Sequence, residues 1–166
     1  YLSKEKYDAA DAYLAEFDSS ITSQALTVYC ENQIMNALFH ITEKYCHETD
    51  IACTIEAQVP EKLPFTDTEI SMLFGNLLEN ACEAAGKCED PFVHINMQVK
   101  NENLLMEIRN RVSGKVVFED DLPLTTKEDG GIGVKSARKV LEKHGGVLRM
   151  QQEGDVFITR MLQGLE

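Results

Sequence analysis

The chain has 166 residues, 43% hydrophobic and 27% charged, a composition typical of one globular domain with a short additional segment. Its formal net charge of -12 disfavours nonspecific binding to nucleic acid or to anionic lipid, so we expect no nucleic-acid partner and no direct membrane contact. No stretch approaches the roughly 20 consecutive apolar residues of a membrane span. The five cysteines lack Cys-x-x-Cys spacing, which argues against a disulfide framework and against a zinc site.

An apolar stripe with helical spacing opens the chain. Its members are Tyr7, Ala10, Leu14, Phe17, Ile21 and Val28. This spacing predicts a helix that packs on a partner helix, and the stripe is too narrow for an independent domain. Cys30-Glu31-Asn32 interrupts the pattern, and Asn32 is a suitable N-cap for a new helix. We therefore expect two units, residues 1–30 and residues 31–166.

The second unit has the pattern of an α+β domain. A helix after Asn32 has a predicted core face of Ile34, Leu38, Ile41 and Tyr45. The elements predicted after it are a strand over 51–58, a central helix from Asp67 or Thr68, a hairpin of 92–100 and 104–110, a helix over 132–144 and a hairpin of 147–152 and 156–162. Residues 113–131 have no period, which indicates a lid. The order predicts a two-layer α/β sandwich, a mixed, mostly antiparallel five-stranded sheet with about three helices on one face.

The central helix contains the most informative stretch, Phe74-Gly75-Asn76-Leu77-Leu78-Glu79-Asn80-Ala81-Cys82-Glu83-Ala84-Ala85. Its apolar residues recur at helical spacing and predict one core face, while Asn76, Asn80 and Glu83 share another face. Asparagine is a poor helix former, but its carboxamide oxygen suits a hard cation such as Mg2+. Polar helix surface is the alternative interpretation of this spacing.

A second motif, Lys127-Glu128-Asp129-Gly130-Gly131-Ile132-Gly133-Val134-Lys135, runs into the last predicted helix. A glycine-rich loop at a helix N-terminus lets main-chain N–H groups approach a phosphate. Lys135 and Arg138 follow the loop and add local positive charge, and we expect Lys139 and Lys143 to be solvated helix surface.

These two motifs resemble the N box and the second glycine box of the GHKL ATP-binding fold, which histidine kinases, type II topoisomerases, Hsp90 and MutL share. The resemblance covers Asn32 to Leu162 and is closest to the Agr-type quorum-sensing sensor histidine kinases of Gram-positive bacteria. It implies the Bergerat form of the predicted sandwich. It also implies that residues 1–30 are the second helix of a dimerisation and phosphotransfer hairpin, whose acceptor helix would precede Tyr1.

The resemblance assigns roles to the motif residues. Asn80 would hold Mg2+ between the phosphates of ATP, with Asn76 assisting. Relatives that hydrolyse ATP have a glutamate at the position of Asn76, and asparagine cannot accept a proton from water as that glutamate can. The resemblance therefore implies that the γ-phosphoryl group is transferred to a side chain rather than to water. Lys127 would neutralise the γ-phosphate, and Lys135 is a second cation. The backbone at Gly130, Gly131 and Gly133 would approach phosphate oxygens.

The family binds adenine through an aspartate in an Asp-x-Gly-x-Gly box, which is degenerate here. The chain has Ile108-Arg109-Asn110-Arg111-Val112-Ser113-Gly114 at this place, and Asn110 is the candidate for the adenine contact. Its oxygen can accept from the adenine amino group, without the added strength of a charged acceptor. Agr-like kinases generally carry this asparagine. We expect modest ATP affinity.

Taken together, these features predict the catalytic and ATP-binding region of a two-component sensor histidine kinase, with ATP and Mg2+ as cofactors. The expected partners are a second copy, through the N-terminal helix, and a cognate response regulator. We expect the cytoplasmic portion of a membrane-bound receptor, with the acceptor histidine upstream of Tyr1 rather than at His40 or His47. The alternatives are a pseudokinase that serves dimer signalling without phosphoryl transfer, and an anti-sigma-type serine kinase.

Overall fold

The computed structural model describes residues 8–12, 28–124 and 132–166, and its main body is an α+β domain. The elements are α1 (Gln33–Glu48), β1 (Ala52–Ala57), α2 (Asp67–Ala85), β2 (Phe92–Lys100), β3 (Asn103–Arg111), β4 (Phe118–Glu119), β5 (Leu122–Pro123), α3 (Ile132–Lys143), β6 (Val147–Glu153) and β7 (Val156–Gly164). Five strands form one sheet in the order β1-β2-β3-β7-β6. Its β1 and β2 are parallel and its other neighbours antiparallel, which confirms the predicted mixed sheet.

The core lies between the helices and one face of this sheet. Strand alternation turns Ile95 of β2 and Ile108 of β3 toward the helices, and both are buried. Helix α2 contacts α1, α3, β2 and β3, and its Leu73 and Phe74 are fully buried. This central position explains why α2 is apolar over most of its circumference. The predicted sandwich of helices on one face of the sheet is confirmed.

Polar caps fix where the first two helices begin. The Asn32 side chain accepts a hydrogen bond from the Met35 backbone N–H at 3.0 Å, as its predicted capping role requires. Thr66 caps α2, accepting from the Glu69 N–H at 3.1 Å, and the Glu69 carboxylate accepts from the Thr66 N–H at 3.2 Å. This reciprocal pair is a capping box, and it starts α2 at Asp67.

The predicted core face of α1 is confirmed only in part, since Leu38 is buried and Ile34 packs against the core, whereas the assignment of Ile41 and Tyr45 is wrong. The structure instead buries Met35, Ala37, Leu38, Phe39, Thr42 and Cys46. Of the predicted set only Leu38 is buried, whereas Tyr45 is 41% exposed and Ile34 and Ile41 are half-buried. The observed face also follows helical spacing, and it combines the large side chains of Met35 and Phe39 with small ones. It meets α2 where the Sγ atoms of Cys46 and Cys82 lie 3.7 Å apart.

The N-terminal stripe is described in part. Residues 8–12 are helical and Ala10 is buried, in agreement with the predicted helix. Val28 is 70% exposed and lies outside any helix, so its assignment to the stripe is wrong. The other members, Tyr7, Leu14, Phe17 and Ile21, lie outside the described residues. Among the helices that the structure describes, none is long and apolar enough to cross a membrane.

Candidate functional site

The two asparagines of α2 lie at the border between core and solvent. Asn76 is buried, with 7% of its surface exposed, and Asn80, one turn further along, is exposed. Glu83 on the next turn is half-buried. The helix therefore presents one carboxamide inside the domain and a second at its surface, on the polar face that the spacing predicted.

The N-terminus of α3 packs directly on Asn76. A Cβ atom placed on Gly133 would lie 3.1 Å from both Cγ and Oδ1 of Asn76, closer than most real Cβ contacts. Glycine at this position thus permits the backbone of α3 to approach the polar face of α2. The first N–H groups of a helix have no partner within the helix and carry partial positive charge. The contact brings that charge to the asparagine pair, as an anion site requires.

The rest of the glycine motif is described in part. Val134, Ala137 and Leu141 are buried and orient α3 against the core, which leaves Lys135 exposed at the first turn. Lys127, Gly130 and Gly131 lie outside the described residues, so their roles stay predictions.

Asn110 lies near the end of β3 on the face that the helices cover. It is 1% exposed and pairs across the sheet with Val93 of β2 and Phe157 of β7. Its Nδ2 donates to the main-chain carbonyl of Arg111 at 3.0 Å. Because a carbonyl can only accept, the amide nitrogen must face it, and Oδ1 must face the other way. The side chain is therefore oriented as a hydrogen-bond acceptor.

A short hairpin lies within the segment that the sequence predicted to be a lid without regular structure. Strands β4 and β5 pair through a turn at Asp120 and Asp121, both with positive φ, of 53° and 64°. The Phe118 ring stacks on Phe157 at 6.0 Å between centroids and 5° between planes. This hairpin corrects the prediction for 113–131 over its described part. Two-residue strands are too short to produce a period in the sequence.

Gln152 and Arg138 hold the segment after β3, through contacts that the sequence did not predict. Gln152 of β6 accepts from the Val116 N–H at 2.8 Å and donates to the Gly114 carbonyl at 2.7 Å. Arg138 of α3 donates to the Asp120 carbonyl at 2.7 Å. Arg138 had been predicted only as a source of positive charge. No local sequence signal reveals these contacts, since each joins residues distant along the chain.

The donor set fits a nucleotide-bound Mg2+ better than a protein-held metal. Within the described ranges, no group of three or more His, Cys, Asp or Glu residues is arranged to hold a metal ion. Asn76 and Asn80 offer neutral oxygens, and Mg2+ commonly takes few protein ligands while phosphates and waters complete its octahedron. The helix N-terminus at Gly133 supplies the complementary anion-binding group.

A family model for the GHKL domain matches residues 66–163. The chain therefore belongs to the GHKL family, whose domains generally bind ATP with Mg2+. The match contains the polar face of α2, Asn110 and the glycine motif. A search of curated proteins gives no match.

Solved histidine kinases share the fold. The catalytic domain of the histidine kinase ThkA is 23% identical, with a TM-score of 0.62 over 77% of this chain and 88% of that chain. A blue-light-activated histidine kinase from Erythrobacter litoralis EL346 is 18% identical, with a TM-score of 0.64 over 97% of this chain and 48% of that one. ThkA in complex with the response regulator protein TrrA is 18% identical, with a TM-score of 0.62, covering 98% of this chain and 49% of that chain. The chain thus spans about half of these longer kinases.

Proposed function

We propose that this chain binds Mg-ATP and passes the γ-phosphoryl group to a histidine of a sensor histidine kinase, one that lies outside this chain. The observation that carries the proposal is the contact between Gly133 and Asn76. It joins a helix N-terminus that suits phosphates to a pair of carboxamides that suit a hard cation. Membership of the GHKL family and the fold of histidine kinase catalytic domains support the same activity.

The proposed chemistry depends on alignment rather than on acid–base catalysis. Asn80 would contact Mg2+ with Asn76 assisting, and the metal, when bound, would neutralise charge between the phosphates. An amide at position 76 cannot activate a water molecule as a carboxylate can, which favours transfer to a positioned side chain over hydrolysis. Lys127 and Lys135 would add positive charge, and the backbone at Gly130 and Gly131 would approach phosphate oxygens.

Asn110 would bind the adenine amino group. Its burial and the orientation of its carboxamide support an acceptor role. The neighbouring Phe157 and the Phe118 ring stacked on it provide apolar surface of the kind that purine rings contact. A neutral acceptor gives a weaker contact than the aspartate found in most relatives, so modest affinity is expected.

The wider assignment rests on the resemblance of the motifs. We infer an Agr-type kinase in which residues 1–30 belong to the second helix of the dimerisation hairpin and residues 31–166 form the catalytic domain. A second copy would pair through that hairpin, in the cytoplasmic portion of a membrane-bound receptor. A response regulator would accept the phosphoryl group, and the ThkA complex with TrrA is a precedent for that partnership.

Two other functions fit the fold. A pseudokinase that serves dimer signalling is favoured by the degenerate adenine box, and it would bind Mg-ATP weakly or not at all. An anti-sigma-type serine kinase shares the fold, but the helical segment before the domain, with Ala10 buried, suits a dimerisation hairpin better.

Asn80→Ala tests the site directly. We expect it to abolish Mg2+-dependent ATP binding, measured by calorimetry, with little change in stability because the side chain is exposed. Asn96→Ala is a matched control, because Asn96 of β2 is also an exposed asparagine. Among the described residues, its side chain bonds only the Glu56 carboxylate. Unaltered Mg-ATP affinity in folded Asn80→Ala would reduce Asn80 to helix surface.

A further inference from the structure

Arg111 joins three parts of the chain immediately beside Asn110. Its Nε donates to the Asp90 carbonyl at 2.8 Å, and its guanidinium pairs with the Asp155 carboxylate. The guanidinium carbon lies 5.0 Å from the centroid of the Phe92 ring, within cation–π range. Asp90 precedes β2 and Asp155 lies in the turn between β6 and β7, so one side chain links both to the end of β3.

The main chain of Arg111 takes part in the same arrangement. Its carbonyl accepts the hydrogen bond from Asn110 Nδ2 at 3.0 Å, and the Val112 N–H donates to the Asp155 carbonyl at 2.8 Å. The direction of the Arg111 carbonyl thus depends on a backbone anchored on both sides. That carbonyl in turn decides which way the Asn110 oxygen faces.

We propose that Arg111 is a positioning residue for base recognition, which holds the Asn110 carboxamide in the orientation that accepts from an adenine amino group. This inference rests on the proposed function. Arg111 touches neither base nor phosphate in this account, because its side chain lies on the sheet face opposite Asn110. Arg111 acts through the backbone that orients Asn110. A guanidinium suits the task, since its planar fork can bond two partners while its face covers an aromatic ring.

A purely structural role for Arg111 would predict something different. Its loss would then lower stability without changing which nucleotide is preferred. The discriminating readout is therefore the ratio of two affinities, Mg-ATP against the Mg2+ complex of purine riboside triphosphate, which lacks only the amino group. General weakening of the site affects both ligands and cancels in the ratio.

Arg109 provides a matched control two residues earlier on the same strand and the same face. It bonds Glu107 at 2.7 Å and makes none of the three Arg111 side-chain contacts. R109M and R111M remove the same charge and keep a similar side-chain length. R111K retains the charge and can restore only part of the bonding.

We expect R111M to lower the preference for ATP about five- to tenfold in calorimetry, part of the ten- to hundredfold that complete loss of such a contact would cost. R111K should lie between wild type and R111M, and R109M should match wild type. A folded R111M with the wild-type ratio would overturn the proposal. If R111M does not fold, D155N replaces it. A fall of about two- to threefold in the ATP preference of D155N would support the proposal, and an unchanged ratio would overturn it.

Failure of the proposed function would look different. A wild-type chain that binds Mg-ATP and the analogue equally would show that Asn110 does not contact the amino group, and the role of Arg111 would fall with it. A wild-type preference for ATP that survives R111M would leave Asn110 in place and refute only the positioning role.

Discussion

At the scale of single residues, the proposed site depends on the close approach of Gly133 to Asn76. The two motifs were predictable because their residue types match the chemistry, amide oxygens for a hard cation and glycines for close approach to phosphate. The 3.1 Å approach between them was not predictable, since no local pattern encodes the distance between residues so far apart in sequence. The capping role of Asn32 was predictable because a cap acts within one helical turn.

Gly133→Ala tests the close approach. The new methyl group would push the Asn76 side chain away by a few tenths of an ångström. We expect Mg-ATP affinity to fall roughly three- to tenfold. The free energy of unfolding should change by less than about 1 kcal/mol. Alanine is more favourable than glycine in a helix by a similar amount, which offsets the strain of the new contact.

Calorimetry and urea unfolding measure the two effects separately. Gly164→Ala is the control, because the nearest atom to its added Cβ would be 3.8 Å away. Undiminished affinity in Gly133→Ala would show that α3 does not need to approach Asn76 so closely.

Asn110 is the residue proposed to carry the base preference. Asn110→Ala should weaken ATP binding roughly ten- to a hundredfold. The adenine amino group would lose its buried acceptor, and an unpaired buried group costs about 1 to 3 kcal/mol. Asn110→Asp restores a charged acceptor, but it loses the Nδ2 donor and sets a carboxylate oxygen against the Arg111 carbonyl, so affinity should fall, though less than in Asn110→Ala. Wild type should prefer ATP over GTP, whose ring presents a carbonyl at the amino position. Equal binding of ATP and GTP, with both substitutions neutral, would favour the pseudokinase.

At the scale of elements, α1 shows where sequence patterns lose information. It has apolar residues at helical spacing on two faces, one with Ile41 and Tyr45 and one with Met35 and Phe39. Spacing alone does not decide which face the core covers, and the packing of α1 on α2 buries the second. Helix α2 was predicted well because its apolar positions cover most of its surface. The β4–β5 hairpin was not predicted, because its strands have two residues each and produce no alternating pattern.

Glu69 joins the start of α2 to the end of α3. Its carboxylate accepts from Lys143 Nζ at 2.6 Å, lies 2.7 Å from His144 Nε2 and accepts from the Thr66 N–H. Lys143 is exposed, as predicted for solvated helix surface, and the ion pair with Glu69 is a contact that the sequence did not predict. The hydrogen bond from Lys143, with smaller contributions from His144 and Thr66, lowers the pKa of Glu69 from 4.5 to about 2.

A lowered pKa in the folded chain means that the carboxylate stabilises the fold above about pH 4.5 and that this contribution disappears as pH falls toward 2. Glu69→Gln can keep the bond to the Thr66 N–H and loses the charge. We expect it to cost about 1 kcal/mol at pH 7, with the difference from wild type shrinking between pH 4.5 and 2. Urea unfolding as a function of pH measures this, with exposed Glu48→Gln as control. A difference that stays constant over this range would refute the ion-pair account.

On the scale of the whole molecule, the net charge of -12 means that a nucleotide must find locally favourable potential. In the proposed site, the N-terminus of α3 and the cations near it would provide that potential beside the asparagine pair. The mixed five-stranded sheet and the helical layer were predictable in outline from the order of elements, which admits few arrangements, whereas the strand order was not predicted. His40 and His47 both lie on α1, the first half-buried and the second exposed.

The most direct measurement of phosphoryl transfer uses ATP labelled at the γ-phosphate, Mg2+ and a second polypeptide carrying the dimerisation and phosphotransfer hairpin of the same full-length protein. We expect acid-labile label on the added hairpin and none on this chain, with Asn80→Ala inactive. Stable label at His40 or His47 would contradict the account, and so would an unlabelled hairpin in the presence of a chain that binds Mg-ATP.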